Sequence, residues 1–335
     1  MSTFGDQVFE MGGKPVGSSG ARYTGWWGVQ SWFCDYDHGS DSNTGKTPTK
    51  AFTNLDTAIS AAGAGDVIYI RNRDQNTAST DGETIVAPTT SNFVVPEAKT
   101  HMSIIGASNI SHIPDSNAGY AIILKGNATA NTNPVLDIQG GFTLVENLGF
   151  HKGGSTAGGQ LALTGNSTSL RALGSVINNC LFRMYSNNTQ ASIYSIDNWF
   201  VTIYGCTFHE DNTGIMLYGL NGTTRRSRIS HCQFRNQTAA SITNNILLYG
   251  GSGQDILIDN CDFVGEVPTA TDGPSGVAAF VYCQSAIQAT MVSCNFAADT
   301  TEGTDGSHIT DNGMNMIDIN QGLWAGGAGH GGLTN

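Results

Sequence analysis

The chain is short of charge. Asp, Glu, Lys and Arg make up 13% of its 335 residues, about half the ~25% of an ordinary soluble domain. Positive charge is the scarcer sign: 15 Lys and Arg against 27 Asp and Glu leave a net charge of −12. A nucleic-acid binder needs clustered cations for the phosphates, and the one dense basic group is Arg225, Arg226 and Arg228. That group reads as a solvated turn, so no nucleic-acid role is expected. Long apolar runs are also missing. No stretch approaches the roughly 18 apolar residues of a membrane-spanning helix, and no membrane role is expected. The opening "MSTFGDQVFEMGG" has no basic stretch followed by an apolar core, so no secretory leader is expected either. Sustained 3.6-residue periodicity is rare, which argues against a helical protein.

What is present is glycine, 43 of them, together with much Ser, Thr and Asn, and a motif that returns. "VENLGF" (145–150) is an imperfect first copy; "INNCLF" (177–182), "IYGCTF" (203–208), "ISHCQF" (229–234), "IDNCDF" (258–263) and "MVSCNF" (291–296) follow. Their phenylalanines are spaced 32, 26, 26, 29 and 33 residues apart, a period that marks stacked supersecondary units rather than a disordered chain. Further short apolar runs, "GIMLYG" (214–219), "NILLYG" (245–250), "GVAAFVY" (276–282) and "MNMIDIN" (314–320), supply a second strand per unit. Two or three strands in each repeat of this length describe one coil of a parallel β-helix.

Cys and Phe lie two apart in the motif and share the inward face, while the preceding aliphatic residue also points inward. The chain must therefore turn between them, at Asn178–Asn179, Tyr204–Gly205, Ser230–His231, Asn260 and Ser293, several of which tolerate left-handed backbone. Cys180, Cys206, Cys232, Cys261 and Cys294 become an inward ladder beside Phe182, Phe208, Phe234, Phe263 and Phe296. Reduced thiols are expected, because in-register parallel strands orient sulfurs poorly for a disulfide torsion. Zinc on Cys206 with His209, or on His231 with Cys232, is the competing reading. Stacking spreads these residues along an axis instead of around one point, so no metal and no cofactor is expected.

Upstream, "DVIYIRN" (66–72), "HMSIIGAS" (101–108), "YAIILKGN" (120–127) and "PVLDIQG" (134–140) read as earlier coils. "TNLDTAISAAG" (53–63) reads as a helix, with Leu55, Ala58, Ile59 and Ala62 as its apolar stripe, Thr53 and Asp56 as a capping box, and Gly63 as its stop. Such a helix plugs the open end of a solenoid. The expected division is an attachment or oligomerisation segment at 1–33, a parallel β-helix at 34–320, and a Gly-rich tail at 321–335.

The stretch "FCDYDHGSDSNTGKTPTKAFTNLDTAISAAGAGDVIYI" resembles the segment that opens right-handed parallel β-helix proteins of the pectate-lyase-like superfamily. An aromatic and Asp, then Gly39, Asp41, Asn43, Gly45, Phe52, the helix, and Gly65–Asp66 before a strand carry the likeness. It covers roughly residues 33 to 300 and implies an all-β, right-handed parallel β-helix. That superfamily includes polysaccharide lyases, glycoside hydrolases, epimerases and bacteriophage virion proteins, and the style of the first 28 residues is similar to the last group.

The resemblance implies catalytic sets that can be sought residue by residue. Lyases of this fold use a Lys or Arg base with calcium-holding carboxylates, yet the regular coils hold one lysine, Lys152. "DYDHGSD" (35–41) could suggest calcium, but position 12 counted from Asp35 is Lys46, not Glu; a polar turn is the expectation. Hydrolases of the fold carry paired aspartates and a Gly-His-Gly. "GHG" occurs at Gly329–Gly331, in the tail and away from an aspartate pair. Asp255 and Asp259 remain candidates to meet other carboxylates across coils. No catalytic residue is assigned. Trp26, Trp27, Trp32 and Phe33 either cap the solenoid end or anchor a partner. The turns lengthening after Phe234, Phe263 and Phe296 build one surface. The expectation is a non-enzymatic bacteriophage virion surface protein, of capsid decoration or head-spike type. It would be assembled in the host cytoplasm, a homotrimer joined to the major capsid protein or another virion protein through its N-terminal segment, and able to bind glycans. The alternative is a tailspike-like depolymerase.

Overall fold

The computed structural model describes residues 9–11, 14–16, 30–71, 84–86, 92–107, 123–126, 134–153, 159–164, 172–185, 191–209, 213–236, 244–266, 279–283, 287–299, 307–311 and 316–319. Outside a small antiparallel ribbon, Phe9–Met11 with Lys14–Val16, the strands form three parallel stacks. Stack one runs from Ser31–Cys34 through Val67–Ile70, Ser103–Gly106, Leu144–Glu146, Val176–Asn178, Thr202–Tyr204 and Arg228–Ser230 to Met316–Ile319. Stack two begins at Phe93–Val95 and passes through Leu136–Ile138, Leu161–Leu163 and Ala191–Ile196 to Ser307–Asp311. Stack three runs from Thr84–Val86 to Asn295–Asp299 and holds the Cys-x-Phe motifs. In chain order the coils pass from stack one through a corner to stack three, then to stack two, and back to stack one. The chain is a right-handed parallel β-helix, the sense that twisted strands impose on parallel crossovers.

The corner between stacks one and three explains the hexapeptide. Asn147, Asn179, Gly205, His231, Asn260 and Ser293 all hold positive φ, between 49° and 62°. Each turns the chain within one residue, so both the aliphatic residue before it and the Cys after it face inward. The corner N–H groups of Asn179, Gly205, His231 and Asn260 donate to the next coil at Tyr204 O, Ser230 O, Asp259 O and Val292 O, at 2.9–3.0 Å. The Asn179 side-chain amide also reaches Asn147 Oδ1 at 2.6 Å.

Inside, Phe150, Phe182, Phe208, Phe234, Phe263 and Phe296 stack ring on ring, with centroids 4.7–5.0 Å apart and planes within 4–8°. This matches the ~4.8 Å strand spacing. Each ring is worth roughly 1.5–3 kcal/mol in burial, with offset stacking adding about 0.5–1.5 kcal/mol per pair. Ile177, Ile203, Ile229, Ile258 and Met291 fill the opposite wall and are fully buried.

Three sequence expectations need adjustment. The first coil begins at Ser31, with Ser31–Cys34 already paired to Val67–Ile70. The helix is Leu55–Ala61 with Asn54 at its N-cap and no side-chain cap bond, so the Thr53/Asp56 capping box does not form. Asp41 serves instead, accepting from Thr53 N and Asn54 N at 3.1 and 3.0 Å. "MNMIDIN" belongs to stack one, beside Thr290–Val292. The stack-two strand of that coil is Ser307–Asp311.

Candidate functional site

The segment that carries the superfamily resemblance is consumed by structure. Gly39 lies where a Cβ would stand 2.3 Å from both Asp35 O and Phe52 O, and Gly45 sits under the Phe52 ring. The Asn43 amide donates to Ala51 O at 2.9 Å. Asp66 accepts from Gln30 N, the Trp32 indole and Gly63 N at 2.9, 2.8 and 2.7 Å. Asp35 turns the "DYDHGSD" loop by accepting from Asp37 N and His38 N, and it pairs with Arg71 at 2.8 Å. Asp35, Asp41 and Asp66 are thus fold-closing acceptors, which explains why the motif specifies architecture.

The partner-anchor candidates divide. Trp32 is tied to Asp66, stacks on Phe52 with centroids 6.0 Å apart and packs against the core. Phe33 stacks on Tyr69 at 5.7 Å. Both rings therefore finish the first coil. Trp26 and Trp27 lie outside the described residues, as does "GHG" at 329–331. Asp259 meets no other carboxylate among the described residues. Arg228 grips it with two bonds of 2.9 and 2.7 Å, and Ser230 and Asn260 add bonds of 3.0 and 3.1 Å. The Arg228 guanidinium, first, and these hydrogen bonds hold the Asp259 carboxyl below its ordinary range. Asp255 faces Arg226 at 3.7 Å. The basic triplet is a solvated corner whose side chains lie over rings, Arg225 over Trp199 at 5.4 Å and Arg226 over Phe200 at 5.8 Å.

The cysteine ladder is buried, and all seven cysteines are free thiols. Cys206, Cys232 and Cys261 each direct Sγ toward a carbonyl of the preceding coil at 3.7–3.8 Å and toward the carbonyl two residues back at 3.4–3.5 Å. Burial pushes the Cys206 and Cys232 thiols well above their ordinary value. No group of three or more His, Cys, Asp or Glu gathers to hold a metal among the described residues. Among them, too, no helix is long and apolar enough to cross a membrane.

The face with features of a ligand surface is the outside of stack two. Alternation puts Ile193, Ile215, Leu217, Ile246 and Leu248 into the core. The intervening Met216, Leu247 and Tyr282 belong to a second cluster, with Ala191 and Ala279 and flanked by Tyr194, Tyr218 and Tyr249. Tyr194, Met216, Leu247 and Tyr282 share one register row, and Tyr218 and Tyr249 share the next. Tyr218 stands 6.2 Å from Tyr194 and 5.7 Å from Tyr249, the planes tilted by 25° and 20°. Burial, then the neighbouring Tyr218 and Asp197, pushes the Tyr194 phenol up to about 12. Farther along the same register row, between Val94 and Ala162, Asp137 accepts from Thr164 Oγ1 at 2.6 Å and Gln139 Nε2 at 2.8 Å. Phenol faces in file offer stacking area with a polar edge. The sequence signal was the tyrosine repeated at the same place in "GIMLYG" and "NILLYG", visible once the strand period is applied to both.

No protein-family model matches the chain, and no curated protein matches it. Among solved structures it is similar to a pectin methylesterase from carrot, with 11% identity over 86% of this chain and 88% of that one and a TM-score of 0.47. It is also similar to an alginate lyase from Paenibacillus sp. str. FPU-7, with 11% identity over 79% and 92% and a TM-score of 0.47. A pectate lyase gives 15% identity over 86% and 82%, with a TM-score of 0.44. The register of the three stacks defines the architecture independently of these likenesses.

Proposed function

We propose that the chain is a non-enzymatic surface protein of a bacteriophage virion, of capsid decoration or head-spike type, that presents the tyrosine-lined outer face of stack two to glycans. The observation that carries the binding reading is the file of Tyr194, Tyr218 and Tyr249 beside the buried Met216 and Leu247. Apolar faces of sugar rings stack on such aromatics, and the phenol oxygens serve their hydroxyls. Asp35, Asp41, Asp66 and Asp259, occupied by backbone, arginine and amide donors, favour the non-catalytic form. Seven buried thiols suit assembly in a reducing cytoplasm and persistence outside it, since burial withholds the reactive thiolate. Attachment through the residues before the first coil at Ser31, and a trimeric state, belong to the same proposal. Isothermal titration with host surface polysaccharide tests the glycan reading. Tyr218→Ala with Tyr249→Ala is expected to weaken binding at least about tenfold, the loss of one to two stacking contacts. Wild-type protein that binds none of the host's polysaccharides contradicts it. Imaging of the intact particle tests the location.

Asp137, in the same register row, favours a second reading, a tailspike-like depolymerase. That reading requires release of reducing ends or unsaturated sugars from the polysaccharide, abolished by Asp137→Asn.

A further inference from the structure

We propose that the outer side of stack one, across the coils from Phe142 to Ser230, is the surface by which copies of this chain associate. Four large hydrophobic side chains are exposed among the described residues, and all of them lie here: Phe142, Trp199, Phe200 and Tyr204, at 40%, 42%, 44% and 44%. Trp199 and Phe200 sit at the corner before Thr202–Tyr204, and Tyr204 ends that strand at its other edge. Apolar patches concentrated in this way, with arginine beside the rings, are the composition of protein interfaces.

The backbone at this corner makes the placement harder to dismiss. A second file of left-handed residues precedes stack one: Gly65, His101, Phe142, Gly174, Phe200, Arg226 and Asp255, each with φ between 50° and 82°. Gly65, His101, Phe142, Gly174 and Phe200 each donate their N–H to the carbonyl just before the next member of the file, Thr100 O, Gly141 O, Leu173 O, Trp199 O and Arg225 O, at 2.7–2.9 Å. Glycine meets this demand without strain at two positions. A bulky aromatic there costs on the order of 1–2 kcal/mol, yet Phe142 and Phe200 occupy it with their rings outward. The Phe142 ring, stacked on His101 at 4.8 Å, also overhangs Gly174, where a Cβ would come within 2.5 Å of it. Strain kept at an exposed position, with no return in core packing, points to a surface role.

The charges indicate a second copy as the occupant. A chain of net charge −12 repels its own kind, so a self-contact must fall where cations offset that repulsion. Arg225 and Arg226 are stacked on Trp199 and Phe200 at this corner. Arg226 and Asp255 lie 3.7 Å apart with side chains 66% and 70% exposed, a loose pair whose members can exchange partners. Adjacent exposed charges of opposite sign suit a contact between copies: Arg226 of one copy can meet Asp255 of the next.

Sedimentation velocity on the full chain over a concentration series tests this without depending on glycan binding, which is read separately. Wild-type protein is expected to associate reversibly. Phe200→Gly is expected to raise the dissociation constant about tenfold or more without lowering the thermal midpoint, because glycine suits φ +60°. That split separates loss of an interface from loss of the fold. Trp199→Ser, at a position outside the left-handed file, is expected to weaken association similarly. Arg226→Asp and Asp255→Arg are each expected to dissociate, and an equimolar mixture of the two to associate again. A wild-type chain that stays monomeric at every concentration, or association unchanged in both Phe200→Gly and Trp199→Ser, would overturn the proposal.

Discussion

A cysteine at the third stack's threshold does two things that no other small residue combines. Its volume fits the crowded inside of the turn, and its thiol is a weak donor to the carbonyls that the corner leaves pointing inward. Alanine keeps the size and loses the donor; serine keeps a donor but buries a more polar group. Cys232→Ala is therefore expected to cost about 1 kcal/mol in denaturant titration, with Cys232→Ser costing more. Because burial raises these thiols, the native protein is expected to resist an alkylating reagent that labels all seven cysteines in denaturant. Rapid native labelling of Cys206 or Cys232 would contradict the ladder. At Gly174 the side chain is excluded twice, by φ +67° and by the Phe142 ring. Gly174→Ala is expected to cost about 2 kcal/mol, and Phe142→Gly on the same background to restore part of that loss.

At the scale of the element, each coil is fixed by two one-residue corners and one aromatic layer. Phe208 lies between Phe182 and Phe234 at 5.0 and 4.8 Å, so Phe208→Ala removes two stacking contacts and opens a cavity. A cost of about 3–5 kcal/mol is expected, read as a lower denaturant midpoint. On the outside, Asp259 links the Arg228 and Asp259 coils. Its folded-state pKa is depressed, so the stabilisation is present above the ordinary carboxyl range near about 4 and is lost as pH falls through the lower folded value. With Arg228 49% exposed, the pair is worth about 1 kcal/mol after screening. Asp259→Asn is expected to lower the neutral-pH midpoint by that amount and to flatten its fall in acid.

The same scale shows what was legible in the chain. The corner residues Asn179, Gly205, His231, Asn260 and Ser293 could be located because an inward aliphatic and an inward cysteine cannot coexist on one straight strand. The buried stripe of the helix, Leu55, Ala58 and Ile59, followed from its spacing. Its cap did not, because Asp41 lies more than a turn's reach away along the chain and becomes a neighbour only after the first coil closes. The second corner file was illegible for a different reason. Phenylalanine and arginine are poor formers of left-handed backbone, so Phe142, Phe200 and Arg226 carry no local signal. The rings that Arg225 and Arg226 lie over, Trp199 and Phe200, belong to the preceding coil and carry no local signal. Tyr218 and Tyr249 were inside recognised strands, but a strand alone does not say which residues share its outer face with those of the coils before and after.

At the scale of the whole molecule, the three stacks divide the work. Stack three turns the phenylalanines inward, beside the cysteines at its threshold, and supplies the aromatic layer of the core. Stack two offers a tyrosine-lined outer face, the surface proposed for glycans. Stack one bears the exposed aromatics and the exchangeable charge pair proposed for self-association. This separation has a consequence for stability: each layer touches only its two neighbours, so the loss of one phenylalanine layer is expected to split thermal unfolding into two transitions, seen by calorimetry of Phe208→Ala.

The most direct test is a sulfur anomalous difference map from a crystal of the native protein. In-register coils require Cys180, Cys206, Cys232, Cys261 and Cys294 to appear as five separate peaks in one line, each about 4.8 Å from the next. Peaks merged in pairs at disulfide distance, gathered around one metal, or scattered without order would contradict the account.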